Sequence, residues 1–429
     1  LYATGFESRE KRSPVKTKRF GPFGHRPFAV YWSGGFLSNV GTWLQAVTGS
    51  VFVYDHTGSA LAVGILNFAT FLPVLLFSVA GGVLSDRFDR RVIIVVSHVL
   101  SFIISLGLAI LIAAGGATEV HVIVLAFVLQ TSATIAKPSL TAMLPALIPR
   151  SELTEAVGLN TLQFVGAQLV GPVLATIILT TSGYAWAFGI NAATYLGPIV
   201  AMGYLARRGL AGRGGSAERA ASRSATTVRA YVGAHRWIGS LLLGVISTSA
   251  ILEVIRTTAP VLVTERLGAP TSVTGLIVAA QSLGSVVGLL AFVPLRRRNL
   301  SRSIAVIGLL LQAAGLTVVS VATVIPVAAV GVAAIGMGFS LCFPVVTGIL
   351  QTEIPDAMRG RIMSIHQMAH LGNRPFTALA AGALAATFGV PVACLAALVL
   401  VPMGLLAVRS AWQQLDALPA GEPARAALG

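Results

Sequence analysis

Gly82-Val83-Leu84-Ser85-Asp86-Arg87-Phe88-Asp89-Arg90-Arg91 stands between two apolar stretches, residues 61–84 and 92–114. Neither stretch contains Asp, Glu, Lys or Arg. Runs of that length suit helices that cross a bilayer, which need about 20 apolar residues. A connection this short and this charged between two spans reads as a moving part rather than a tether.

The whole chain shares this character. Of its 429 residues, 55% are hydrophobic and 10% are charged, against about 25% charged in soluble domains. A soluble fold of this composition would lack polar surface, and lipid is the alternative solvent. The net charge of +15 would by itself suit nucleic acid. Nearly all of the Lys and Arg fall in the tails or in alternate loops, so no nucleic-acid partner is expected. Cys342 and Cys394 both lie inside apolar runs and read as packing residues rather than a disulfide or metal pair. The first 27 residues are polar and basic, and no cleavable signal peptide is expected.

Apolar segments recur at 28–53, 61–84, 92–114, 120–139, 158–180, 184–206, 237–263, 271–295, 303–324, 326–350, 362–387 and 390–408. Backbone groups in lipid allow helices or a closed barrel, and these runs lack the alternation of barrel strands. Basic residues select the orientation. The first tail carries Arg9, Lys11, Arg12, Lys16, Lys18, Arg19 and Arg26, and the second loop Arg87, Arg90 and Arg91. The fourth, eighth and tenth loops carry Arg150, Arg296 to Arg298 with Arg302, and Arg359 with Arg361. The sixth, an Arg-, Ala-, Ser- and Gly-rich stretch, carries seven arginines between Arg207 and Arg236. The odd-numbered loops together contain only Arg266. Both termini are therefore expected in the cytoplasm of a bacterial cell, with the protein multi-pass in its inner membrane. The expected divisions are a cytoplasmic tail (1–27), a six-helix half (28–206), a linker (207–236) with a short surface helix near its end, a second six-helix half (237–408) and a cytoplasmic tail (409–429). Two pseudo-symmetric halves with a site between them are a known transporter plan.

The 82–91 run resembles the signature loop of the major facilitator superfamily, G-x-L-x-D-R-x-G-R-[RK], with Asp89 in place of the second glycine. Further matching stretches are Ser38-Asn39-Val40-Gly41-Thr42-Trp43-Leu44-Gln45, Leu144-Pro145-Ala146-Leu147-Ile148-Pro149-Arg150 and Ile354-Pro355-Asp356-Ala357-Met358-Arg359-Gly360-Arg361. Together they are similar to the enterobactin-exporter-type branch, which includes siderophore and macrolide exporters and in which Asp-Arg-x-Asp-Arg-Arg is common. The resemblance implies an all-α integral membrane fold of 12 transmembrane helices in two six-helix bundles. In the fifth span, Gly158, Ala167, Gly171, Pro172 and Ala175 follow the spacing of the superfamily's antiporter motif, with alanine at two of its glycine positions. Small residues admit close helix approach and Pro172 permits a bend; ordinary helix packing is the other reading. The matching loop of the second half, Gly288 to Pro294-Leu295-Arg296-Arg297-Arg298, has no acidic partner.

The resemblance assigns Asp86 to pairing with basic residues and a helix N-terminus, holding the outward-facing state shut on the inside. Asp86 and Arg90, with Gly82, Gly171 and Pro172, read as gating elements, and Arg87 and Arg91 as orientation signals within the same loop. Helices 1, 4, 7 and 10 line the cavity in this superfamily. Asn39, Thr42 and Gln45, and Gln130, Thr131 and Thr134, recur at helical spacing in the first and fourth spans and become candidate substrate contacts; helix–helix hydrogen bonding is the alternative. Intramembrane charge is functional by default. Arg374 falls about 20 Å along a helix from Arg361 and is a further substrate candidate. Glu253 and Arg256 share a helix face and are expected nearer the outer surface, with Glu253 the first candidate for proton coupling. Lys137 is expected to snorkel to the cytoplasmic interface.

No ATP-binding loop, metal cluster or nucleophile elbow is present in the sequence, so no enzyme activity, metal or cofactor is expected. The expected function is a monomeric secondary exporter that moves a small amphipathic organic compound (a natural product, siderophore or drug) in exchange for protons. An importer or facilitator on the same fold, or a non-transporting sensor, stays open.

Overall fold

The computed structural model describes residues 21–210, 225–296 and 301–417. The described part is helical throughout: α1 (Arg26–Thr57), α2 (Ala60–Arg87), α3 (Arg90–Ala113), α4 (Glu119–Met143), α5 (Leu153–Thr181), α6 (Gly183–Thr194) and α7 (Leu196–Arg207) make the first half. The second half holds α8 (Ala225–Ala234), α9 (Arg236–Val261), α10 (Thr274–Arg296), α11 (Ser301–Val321), α12 (Ile325–Glu353), α13 (Asp356–Gly372), α14 (Arg374–Ala397) and α15 (Leu400–Asp416).

Among the described residues, 10 stretches are long and apolar enough to cross a membrane, and the last, Met358–Asp416, runs for 59 residues. That stretch is two crossings, because Gly389 turns to φ 83° inside α14, a conformation glycine adopts at little cost. The 32-residue α1 is long enough to span although its Ser, Thr, Asn and Gln residues dilute its hydropathy. α6 and α7 form one crossing interrupted at Tyr195, where Pro198 removes the amide that would bond Thr194. Counted in this way, the described helices are consistent with the twelve crossings expected. The surface helix expected at the end of the linker is α8, while residues 211–224 lie outside the described residues, as do 1–20 and 418–429. Helix persists through 409–416, a stretch expected to belong to the tail.

Hydrophobic segregation from water cannot glue helices inside lipid, so close backbone approach matters more. Glycines supply it within the second half. A Cβ at Gly308 would lie 2.6 Å from the Gly338 carbonyl oxygen, and one at Gly288 2.6 Å from that of Met337. These contacts bind α10 and α11 to α12. In the first half a Cβ at Gly81 would sit 3.0 Å from the Thr134 carbonyl, which joins α2 to α4.

The halves meet along α2 with α14 and α5 with α10. At the first seam, Gly64 and Gly382 face each other: a Cβ on Gly382 would lie 2.7 Å from the Ala60 carbonyl and 2.9 Å from Gly64 Cα. At the second, a Cβ on Gly275 would overlap the Pro172 carbonyl. The hydrogen bonds joining the halves include Tyr54 Oη to Glu265 Oε1 at 2.9 Å, Thr271 Oγ1 to Asp55 Oδ2 at 3.0 Å, Asn67 Nδ2 to Thr257 Oγ1 at 3.1 Å and Ser282 Oγ to the Gln168 carbonyl at 2.9 Å. All lie at mid-depth or toward the face opposite the arginine-rich loops. The structure is therefore closed at that opposite face. Gly382→Val would wedge the α2–α14 seam apart there. Spin labels at the far ends of α2 and α14 should then show a longer distance distribution than in the wild type.

Candidate functional site

Four ionisable side chains converge at mid-depth in the second half. Glu253 lies about 25 Å along its helix from Arg236 and about 20 Å from Arg266. It is 1% exposed. Arg374 Nε stands 4.0 Å from its Oε2, a distance too long for a hydrogen bond. Neither of those two atoms has a hydrogen-bond partner among the described residues. The Arg374 guanidinium also reaches His370 Nε2 at 3.4 Å and lies 5.2 Å from the Phe71 ring centroid. His370 Nδ1 meets Ser249 Oγ at 2.7 Å. Arg256 donates to Gln281 Oε1 at 2.9 Å and sits 4.9 Å from the Trp43 ring centroid. Two arginines of the second half thus rest on aromatic faces of the first, an attraction worth roughly 0.5–2 kcal/mol each.

Local sequence explains the placement. Pro375 has no amide for the Leu371 carbonyl, and the chain breaks between α13 and α14 at Asn373, whose Nδ2 turns back to the Ala369 carbonyl at 2.5 Å. Arg374 leaves that break pointing at α9. The expectation that Glu253 sits near the outer surface with Arg256 as its companion does not match this geometry: Glu253 is fully buried, and its ion-pair partner is Arg374 on another helix.

The first-half candidates face several directions. Asn39 donates to Gln163 Oε1 of α5 at 3.2 Å, and Gln45 accepts from Ser105 of α3 at 3.2 Å and from Asn191 of α6. Thr42 is exposed and donates back to the Ser38 carbonyl at 2.9 Å. Gln130 is half-buried one turn from Thr134, which is buried with no partner for Oγ1 among the described residues. Lys137, expected to snorkel to the interface, lies over the Phe164 ring at 5.9 Å, some three turns into α5. Phe164 in turn packs edge-on against Trp43 at 5.9 Å.

In the 82–91 loop, Asp86 and Arg87 are exposed, and among the described residues Asp86 makes no ion pair. Gly82 has open space around it; the close approach to α4 falls to Gly81. Arg90 donates to the Ala142 carbonyl at 3.3 Å. Asp89 caps α3: Oδ1 accepts the Arg91 amide at 2.8 Å, and Oδ2 takes Arg91 Nη2 at 2.9 Å. The side-chain bond from Arg91 is the main reason that the Asp89 carboxyl is held below its ordinary range. In α5, a Cβ on Gly171 would meet Trp43 Cβ at 2.5 Å and the Val40 carbonyl at 2.7 Å, and Gly158 has nothing near it.

The family model for transmembrane secretion effectors matches residues 17–424. The chain belongs to this family of the major facilitator superfamily. Among its relatives, the multidrug efflux pump Tap of Mycolicibacterium fortuitum is 24% identical over 393 residues, 89% of this chain and 94% of that protein. The staphyloferrin A transporter of Staphylococcus aureus is 27% identical over 150 residues, 35% of this chain and 38% of that protein. A bacterial homologue of the iron transporter ferroportin, solved in the inward-facing state, shares the fold with a TM-score of 0.69 and 14% identity, covering 90% of this chain and 98% of that one. The chain is a multi-pass membrane transporter.

Sequence reasoning missed Ser249, Phe71 and Trp43 as neighbours of the charged groups; it read His370, with His98 and His366, only as a lone histidine able to titrate. Trp43 also lies inside a stretch already matched to the family. Two outcomes are expected. Asp89→Ala removes the cap of α3 and lowers stability by roughly 0.5–2 kcal/mol. The folded-state pKa of Asp89 is depressed, so its contribution is complete above the unfolded value of about 3.9 and is lost only as pH falls through the lower folded value. The difference in melting temperature between wild type and variant should stay constant between about pH 5 and 8. Arg374→Met leaves Glu253 as an unpaired buried charge and costs roughly 3–5 kcal/mol. Adding Glu253→Gln should recover much of that loss in a double-mutant cycle read by thermal unfolding.

Proposed function

We propose that this protein is a secondary exporter that carries a small amphipathic organic compound out of the cytoplasm in exchange for protons, by alternating access. The observation that carries the reading is Glu253 Oε2: a buried carboxylate oxygen with no hydrogen-bond donor among the described residues and Arg374 held at 4.0 Å. Leaving such an acceptor unfilled costs about 1–3 kcal/mol, more when it is charged. Two occupants can fill it, a proton or a donor group on the cargo. A protonated oxygen presents a donor where the cargo's donor would sit and has lost the charge that made it a strong acceptor, so the two occupants compete, and competition for one site is the condition for exchange.

The positive-inside bias of the arginine-rich loops supports a cytoplasmic basic face, and with closure at the other face the structure is then open inward. Asp86, exposed and without an ion pair among the described residues, takes up its lock when the halves close over the inner side. Trp43, Phe71 and Phe164 offer the cargo aromatic faces, and Thr42, Gln130, Thr134 and Arg374 polar contacts. The names of the efflux and siderophore relatives support outward transport of a natural product, siderophore or drug. The protein works as a monomer in the inner membrane, with both termini in the cytoplasm.

The test compares the medium and cell contents of a deletion strain complemented with wild type, Glu253→Gln or Asp86→Asn, by untargeted mass spectrometry. A compound retained in the deletion and restored to the medium by wild type identifies the cargo. Glu253→Gln should release it at least about tenfold more slowly, a loss of 1.4 kcal/mol, and should not respond to an imposed pH gradient in everted vesicles. Accumulation of that compound inside wild-type cells relative to the deletion would overturn export.

A further inference from the structure

Arg374 is shared. Its guanidinium lies 3.4 Å from His370 Nε2 and, through Nε, 4.0 Å from Glu253 Oε2. Arginine only donates, so Nε2 of His370 carries the lone pair. Nδ1 therefore carries the proton and donates to Ser249 Oγ at 2.7 Å. The ring is pinned further by Phe343, with centroids 4.6 Å apart, and by Phe339 at 5.7 Å. His370 is in this arrangement a neutral, rigidly mounted acceptor that draws the guanidinium away from the carboxylate, while Phe71 holds its face.

We infer that His370 is the positioning residue that keeps Arg374 from closing onto Glu253, and so keeps the Glu253 oxygen available to its two occupants. The inference rests on the proposed role of Glu253. Without the histidine lone pair, the planar five-donor fork of Arg374 is free to close on the carboxylate in a bidentate pair, which holds Glu253 ionised and fills the oxygen that cargo or proton must reach. Protonation of His370 has the same effect, since an imidazolium has no acceptor left and repels the guanidinium.

The charged and titratable groups around His370 are few. α9 brings Glu253 and Arg256, α14 brings Arg374, and His366 lies one turn away on α13. α2 carries its only ionisable side chains, Asp86 and Arg87, at its basic end. α12 has Glu353 at its end and Cys342, which a Cβ on Gly308 of α11 would touch. α8 has Tyr231, stacked on His235 at 4.2 Å. His366 differs from His370 in its bonding. Thr347 gives its proton to the Phe343 carbonyl at 2.9 Å, so His366 Nε2 must donate to Thr347 at 3.2 Å, away from Arg374.

Two variants separate positioning from packing. His370→Gln keeps an acceptor for Arg374 and cannot protonate; His370→Leu keeps bulk and removes the acceptor. Both are measured as full-length protein in proteoliposomes, with the cargo that mass spectrometry identifies or, failing one, with a fluorescent cationic dye as probe. The readouts are the pH profile of gradient-driven transport and the infrared carboxylic-acid band that Glu253→Gln lacks. His370→Leu should need a pH about one unit or more lower to develop that band, the low end of the effect of an adjoining arginine on a carboxyl, and its transport profile should move the same way. His370→Gln should keep the wild-type band and lose the fall in transport at acid pH. Wild-type band and profile in both variants, with Glu253→Gln uncoupled, would overturn the role of His370 alone. Coupled transport surviving in Glu253→Gln would instead remove the reading on which it rests. If His370→Leu fails to fold, His370→Gln decides, and an unchanged acid limb in that variant overturns the inference.

Discussion

A carboxylate inside a membrane protein is tolerable only with compensation, and the arrangement around Glu253 follows from that constraint. An ionised group in a medium of low dielectric loses several kcal/mol of solvation even after relaxation. Arg374 is the compensating charge, and the chain breaks a helix to deliver it. The break between α13 and α14 needs Pro375, and Asn373 satisfies a carbonyl beside it. The compensation is loose. The guanidinium serves Glu253, His370 and the Phe71 face together, so no partner receives ideal geometry. A tight bidentate pair would be more stable and would have no vacancy for a third party.

The looseness at the centre contrasts with the packing around it. Within the second half, glycine-to-backbone approaches fuse α10, α11 and α12 into one body. In the first half, Gly171 against α1 and Gly81 against α4 do the same. Between the halves the polar contacts are single hydroxyl, amide or carboxylate bonds, and interhelical bonds of this kind average about 0.6 kcal/mol. The close glycine approaches between the halves, Gly64 with Gly382 and Gly275 with Pro172, lie toward the closed face, so rigid bodies held together mainly near that face are suited to rocking around a fixed site.

The fold was legible in the sequence because its determinants are local. Span length and the alternation of arginine-rich loops are read directly, and the 82–91 run carries its family resemblance in ten residues. Asp89 stood in the sequence only as a departure from the family glycine; its role as the cap of α3 is local, but the structure supplies it. The site was legible only in part. Glu253 and Arg374 were each identified as costly charges, but nothing in the sequence ties a residue in α9 to one in α14. The first-span candidates show a different difficulty. A helix with lipid on one side and apolar protein on the other has no strongly polar face, so helical spacing alone does not say that Asn39 and Gln45 turn toward α5 and α6 while Thr42 stays exposed.

Pro172 shows how a sequence motif acquires a mechanism only in three dimensions. Its missing amide leaves the Gln168 carbonyl without the usual donor four residues on. Ser282, in the other half, supplies that donor at 2.9 Å, beside the point where Gly275 lies against the Pro172 carbonyl. A carbonyl orphaned within one half is thus satisfied by the other in the state closed at the face opposite the basic loops. On the alternating-access reading, opening that face removes Ser282 and admits water to the same seam. Water then takes over the carbonyl, and the penalty of about 1–3 kcal/mol for an unfilled buried acceptor is avoided in both states. On that reading a proline at this position adds a bond across the seam in one conformation without leaving a buried orphan in the other, where an intact helix would have made no bond across the seam in either.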